Sequence, residues 1–128
     1  MSDIYSGRSE KRKFVRSRAG FMVTYKVKDP FEARRDFGEA ERDGVANDLS
    51  EQGLSLLTDY DLPVGAVIFM KFRLSSNVVF TPEGRSRKLE LRGEVRHSLH
   101  TQERSTYRAG VRFQNLPADV RTFIAGCI

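Results

Sequence analysis

Two groups of residues have the types and spacing to do recognition chemistry. The first is Arg12-Lys13-Phe14-Val15-Arg16, with two arginines four apart in a basic stretch that also holds Arg8 and Lys11. A guanidinium is a planar fork of donors. It can place two of them on O6 and N7 of a guanine, or pair with a phosphate. The spacing alone is weak, because basic arms carry it by chance. The second group is Asp48-Leu49-Ser50-Glu51-Gln52-Gly53. An ionised aspartate accepts from the N1–H and amino group of a guanine, a serine hydroxyl donates or accepts, and a glycine lets a base or a backbone come close. The competing reading is a plain turn, since Asp, Ser and Gly are the commonest turn residues.

Catalytic chemistry finds little support. The two histidines, His97 and His100, fall in a strand end or loop, where they need not share a face. No Cys, His and carboxylate residues have metal-ligand spacing. Asp48 lies near Ser50, but no histidine completes a nucleophile signature, and no G-x-x-x-x-G-K loop occurs to cradle phosphates. A binding domain is expected, not an enzyme, with neither metal nor cofactor.

The elements that must position these groups read as mostly β. Apolar residues alternate through Phe21, Val23, Tyr25 and Val27, the mark of a half-buried strand. Val45–Ala46 and Leu54–Leu57 read as short strands, with Asn47–Gly53 turning between them. Lys28–Gly44 carries mixed charge with Pro30 and Gly38 and reads as a long loop or an extended hairpin. Val67–Leu74 follows the Pro63–Gly65 turn with Lys71 and Arg73 outward. Ser75–Arg87 reads as a loop around Pro82-Glu83-Gly84, with Val78–Phe80 as a possible extension of the sheet. Leu89, Leu91 and Val95 alternate with charged residues, and Tyr107, Ala109, Val111 and Phe113 repeat the pattern. The period then changes. Pro117 suits a first helical turn, Asp119 favours the exposed amides there, and Val120, Phe123, Ile124 and Cys127 form one stripe. About six strands and one amphipathic helix predict an all-β, six-stranded antiparallel barrel with a C-terminal helix over about 117–127.

Composition sets limits. The 128 residues suffice for one domain, with 39% hydrophobic and 30% charged, an ordinary globular balance. The net charge of +5 is concentrated. Residues 1–18 hold six basic and two acidic side chains, leaving the other 110 residues nearly balanced. A flexible basic arm over 1–18 ahead of a barrel over 19–128 is expected, and such an arm suits a phosphate-bearing partner. No apolar run approaches the roughly 20 residues of a membrane span, and the N-terminus lacks the apolar core of a secretory signal. The lone Cys127 forms no internal disulfide. These features point to the cytoplasm.

Taken together, the two groups resemble the signature of the PilZ family: R-x-x-x-R ahead of the barrel and [DN]-x-S-x-x-G on it. Arg12 and Arg16, then Asp48, Ser50 and Gly53, fill every position. Gly93–Arg96 with Tyr107–Phe113 is similar to the family's closing strands, and the helix from Pro117 matches, so the resemblance covers nearly the whole chain. It implies a receptor for the bacterial second messenger cyclic di-GMP, in which Arg12 and Arg16 wrap over the ligand, contacting guanine edges and phosphates. Asp48, Ser50 and Gly53 would hold a guanine from the barrel, with Lys11 and Arg8 as weaker phosphate contacts. An unknown downstream effector protein is implied, and no nucleic-acid polymer. The alternative is a PilZ-like protein-interaction module with an idle ligand site. The stretch between Arg16 and Asp48, with its extra residues in Lys28–Gly44, looks longer than usual for the family.

Overall fold

Six strands and one helix follow in chain order in the computed structural model, which describes residues 20–29, 40–75, 86–102 and 106–128. The strands are β1 (Phe21–Asp29), β2 (Arg42–Leu49), β3 (Gly53–Thr58), β4 (Val67–Ser75), β5 (Ser86–His100) and β6 (Tyr107–Gln114), and the helix is α1 (Ala118–Ala125). Every pairing is antiparallel, in the closed order β1-β2-β3-β6-β5-β4, so each strand has two neighbours and the sheet has no free edge.

Alternation explains the closure. Val23, Tyr25 and Val27 of β1, Leu54 and Leu56 of β3, Ile68, Met70 and Phe72 of β4, and Val111 and Phe113 of β6 all point inward and are buried in one core. Their sequence neighbours face out, as a period of two requires. Inside, the Tyr25 hydroxyl and Thr58 Oγ1 hydrogen-bond and tie β1 to β3 across the barrel. Helix α1 adds Val120, Phe123 and Ile124 to that core. Arg87 of β5 lies over the Phe123 ring and pairs with Asp119 at 3.2 Å, which docks the helix on the barrel wall. Cys127 is half-buried, and its thiol reaches the Phe123 carbonyl at 3.2 Å.

Several boundaries differ from the sequence reading. The short strand read at Val45–Ala46 is an eight-residue strand reaching Leu49, and the turn read over Asn47–Gly53 shrinks to a tight connection from Ser50. The cause is a bulge between Ala46 and Asp48, which leaves Asn47 without a partner on β3 and breaks the alternation. Lys28 and Asp29 extend β1, and Arg42–Gly44 open β2. Arg42–Gly44 pair with Val23–Tyr25, whereas Asp29 pairs with Val67 of β4, and residues 30–39, which would decide between a long loop and an extended hairpin, lie outside the described residues. Strand β5 runs on to His100, so both histidines sit in a strand and not in a loop. Pro117 caps the helix from outside its first turn. The readings at Pro82-Glu83-Gly84 and Val78–Phe80 fall outside the described residues.

Candidate ligand-binding site

The β2–β3 hairpin closes on Asp48-Leu49-Ser50-Glu51-Gln52-Gly53. Leu49 and Leu54 are paired and buried, anchoring both ends of the connection in the core. Between them the Ser50 N–H donates to the Gly53 carbonyl at 2.9 Å. The Ser50 hydroxyl accepts from the Gln52 N–H at 3.2 Å and reaches the same carbonyl at 3.4 Å. Ser50 is only 5% exposed, so its hydroxyl braces the turn from inside. The Gln52 carbonyl in turn accepts from Phe113 N–H at 2.7 Å, which fastens the turn to β6.

Gly53 has a strict steric reason to be glycine. A Cβ there would stand 2.0 Å from the Val111 carbonyl oxygen of β6. The close approach it permits is that of the barrel's own backbone. Asp48, by contrast, is half-buried on the outer wall, opposite Ser55. Beside it, the Asn47 side-chain oxygen at the bulge is buried with no hydrogen-bond partner among the described residues.

Registers show what surrounds this turn. One row across the outer wall runs Asp48, Ser55, Gly110 and His97. The His97 imidazole lies on Gly110, where a Cβ would come within 2.1 Å of its Nε2. The next row runs Met22, Val45, Leu57, Arg108 and Leu99. Of the two exposed guanidiniums of β6, Arg112 stands opposite Gly53 of the motif and Arg108 stands opposite Leu57. Met22 and Val45 are exposed and line a shallow depression with Asp43, Leu57 and Asp59. Sequence reasoning did not single out Ser55, His97, Arg108 or Arg112 as neighbours of Asp48. The alternation of β6 turns Arg108 and Arg112 outward, and the register sets Arg112 beside Gly53 and Arg108 beside Leu57.

Arg8, Lys11, Arg12 and Arg16 lie outside the described residues. Their point of attachment does not. Phe21, the first residue of β1, pairs with Ala46, so the chain enters the barrel at the bulge that carries Asn47 and Asp48. Among the described residues, no group of three His, Cys, Asp or Glu side chains could hold a metal ion, and no helix is long and apolar enough to cross a membrane.

Known structures share this architecture. The Bacillus subtilis inhibitor of motility, MotI/DgrA, is similar at a TM-score of 0.64 and 17% identity, over 90% of this chain and 48% of that one. The PilZ domain of YcgR from Escherichia coli, solved with c-di-GMP, is similar at 0.56 and 15%, over 89% and 86% of the two chains. The K. pneumonia MrkH–c-di-GMP complex gives 0.58 and 14%, over 89% and 48%. The chain thus spans about half the length of MotI/DgrA and of MrkH. At such identities the likeness is one of fold. No curated protein sequence matches the chain. A family model described as the PilZ domain matches residues 10–128, a span that takes in all six strands and the helix, and the chain belongs to the PilZ domain family.

Proposed function

We propose that this domain binds cyclic di-GMP on the outer wall of the barrel beside the β2–β3 turn, and signals by ordering of its N-terminal arm. The observation that carries the proposal is the pairing of Phe21 with Ala46, which brings the root of the arginine arm to the strand that holds Asp48. Arg16 is four residues from Gly20, a span of at most about 14 Å of extended chain, and a long side chain adds to that reach. Arg12 and Arg16 then face a guanine held from the other side by Asp48. Lys11 and Arg8 follow as phosphate contacts. On β6, Arg108 and Arg112 add two cations where the ligand's phosphates would lie. YcgR and MrkH, both solved with c-di-GMP, support the choice of ligand.

The second reading, an interaction module with an idle site, draws on a specific observation. Ser50 braces the turn and Gly53 admits β6, so folding alone would retain both. Neither residue separates the two readings; Asp48 and the arginines do. Isothermal titration with cyclic di-GMP tests the proposal. Saturable binding that is lost in Asp48→Ala supports a receptor, and no heat at high ligand concentration supports the idle module.

A further inference from the structure

The outer face of β4, with the stretches of β1 and β5 paired to it, carries a charge pattern that folding does not require. In the closed order of strands, β5 and β4 lie across the barrel from β2 and β3. Their outer face, with that of β1, presents Lys26, Lys71, Arg73, Lys88 and Arg92 in three consecutive rows. Arg73 stands directly opposite Lys88. Like charges at directly opposed positions destabilise a sheet, and an opposite-charge pair would serve folding better. Among the described residues Arg73 donates to Ser86 Oγ at 3.1 Å, and Lys88 reaches Glu90 at 4.0 Å. In the next row Lys71 pairs with Glu41 at 2.8 Å and faces Glu90. In the third, half-buried Phe69 lies between Lys26 and Arg92, neither of which makes an ion pair within 4.0 Å among the described residues.

We propose that this β1–β4–β5 face is a docking surface for an acidic segment of a partner protein, separate from the nucleotide site and able to be occupied together with it. The interleaving decides the class of partner. Glu41 and Glu90 sit within the patch and would oppose the unbroken phosphate charge of a nucleic acid, which needs cations that track its backbone. A protein segment instead sets its carboxylates singly between such acids, and its apolar side chains cover Phe69. Because the barrel has no free edge, the segment docks through side chains and not as an added strand.

The test uses the full chain and a fluorescein-labelled peptide of repeating Glu-Leu-Asp-Phe. Anisotropy should show binding that weakens with salt. The double variant Arg73→Glu, Lys88→Glu should lose roughly tenfold or more in affinity and gain binding to a Lys-Leu-Lys-Phe repeat. Both positions are exposed, so the variant should keep the parent's circular dichroism and melting temperature. Equal binding of the acidic peptide by parent and variant would overturn the proposal. So would tighter binding of a DNA duplex or of anionic phosphatidylglycerol vesicles through the same two residues. Cyclic di-GMP titration of both proteins keeps the questions apart. A chain that binds no cyclic di-GMP but shows the charge swap loses the receptor function and keeps this surface.

Discussion

Asp48 and Ser50 stand two residues apart yet do different work, because the bulge at Asn47 turns one outward while the hairpin draws the other in. The Ser50 hydroxyl is committed to the turn, so Ser50→Ala should lower stability by about 1 kcal/mol through the unmet Gln52 N–H. The arginines carry the opposite expectation. Arg12→Ala and Arg16→Ala should each weaken cyclic di-GMP binding by about 1–3 kcal/mol, the range for a bidentate guanine contact, and leave denaturant unfolding unchanged. An Arg16→Ala chain that bound like the parent would remove it from the clamp. A third expectation lies in the core. Burial holds the Tyr25 phenol neutral and raises its pKa above the ordinary 10.0, and its bond to Thr58 opposes this only in part. The folded barrel therefore keeps a proton that the unfolded chain releases above pH 10. Tyr25's contribution to stability is full below that pH and declines as pH rises towards the folded-state value. Unfolding in urea across this range should show a shallower alkaline decline in Tyr25→Phe than in the parent. The variant should also lose about 1 kcal/mol at neutral pH from the broken Thr58 bond.

Among the elements, the β3–β6 pair is the one most sensitive to a single atom. Gly53→Ala would drive a methyl group into the Val111 carbonyl, and β6 would have to move. Thermal unfolding should report a loss of about 3 kcal/mol or more. A Gly53→Ala chain as stable as the parent would show that β3 and β6 separate at that end. Much of this element structure was legible beforehand. Alternation located β1, β4 and β6, and the stripe Val120, Phe123, Ile124 located the helix, because inward residues on a two-sided wall must be apolar. The misread ends of β2 and β5 share one cause. At Asn47 in β2, and between Val95 and His97 in β5, the register slips by a residue. The period of two changes phase there, so a strand that continues reads as one that ends. The candidate site was legible in part for a related reason. The Asp48, Ser50 and Gly53 positions are local in sequence, whereas Arg112 and His97 reach the motif only through cross-strand register, which no local pattern encodes. Residue type also concealed roles, since Ser50 and Gly53 have structural work that their place in the motif does not reveal.

At the scale of the whole molecule, a closed barrel has little to change on binding. Every strand has two neighbours and one core fills the interior, so a signal is more readily written in what lies outside the wall. Under the proposed mechanism the ligand acts on residues 11–18, where net positive charge and few apolar side chains offer little to offset the entropy of ordering until phosphates and guanines arrive. Amide exchange should slow there on adding cyclic di-GMP while the β4 and β5 amides stay unchanged. Unaltered exchange over 11–18 at saturation would leave a receptor without this switch. The central claim is recognition of guanine by Asp48, and isothermal titration of the parent chain with cyclic di-GMP and cyclic di-AMP tests it most directly. Adenine lacks the N1–H and the amino group that a carboxylate accepts from, so the guanine ligand should bind saturably and the adenine ligand far more weakly. Asp48→Ala should weaken the first and narrow the difference. Equal affinity of the parent for both dinucleotides, or no binding of either, would contradict the account.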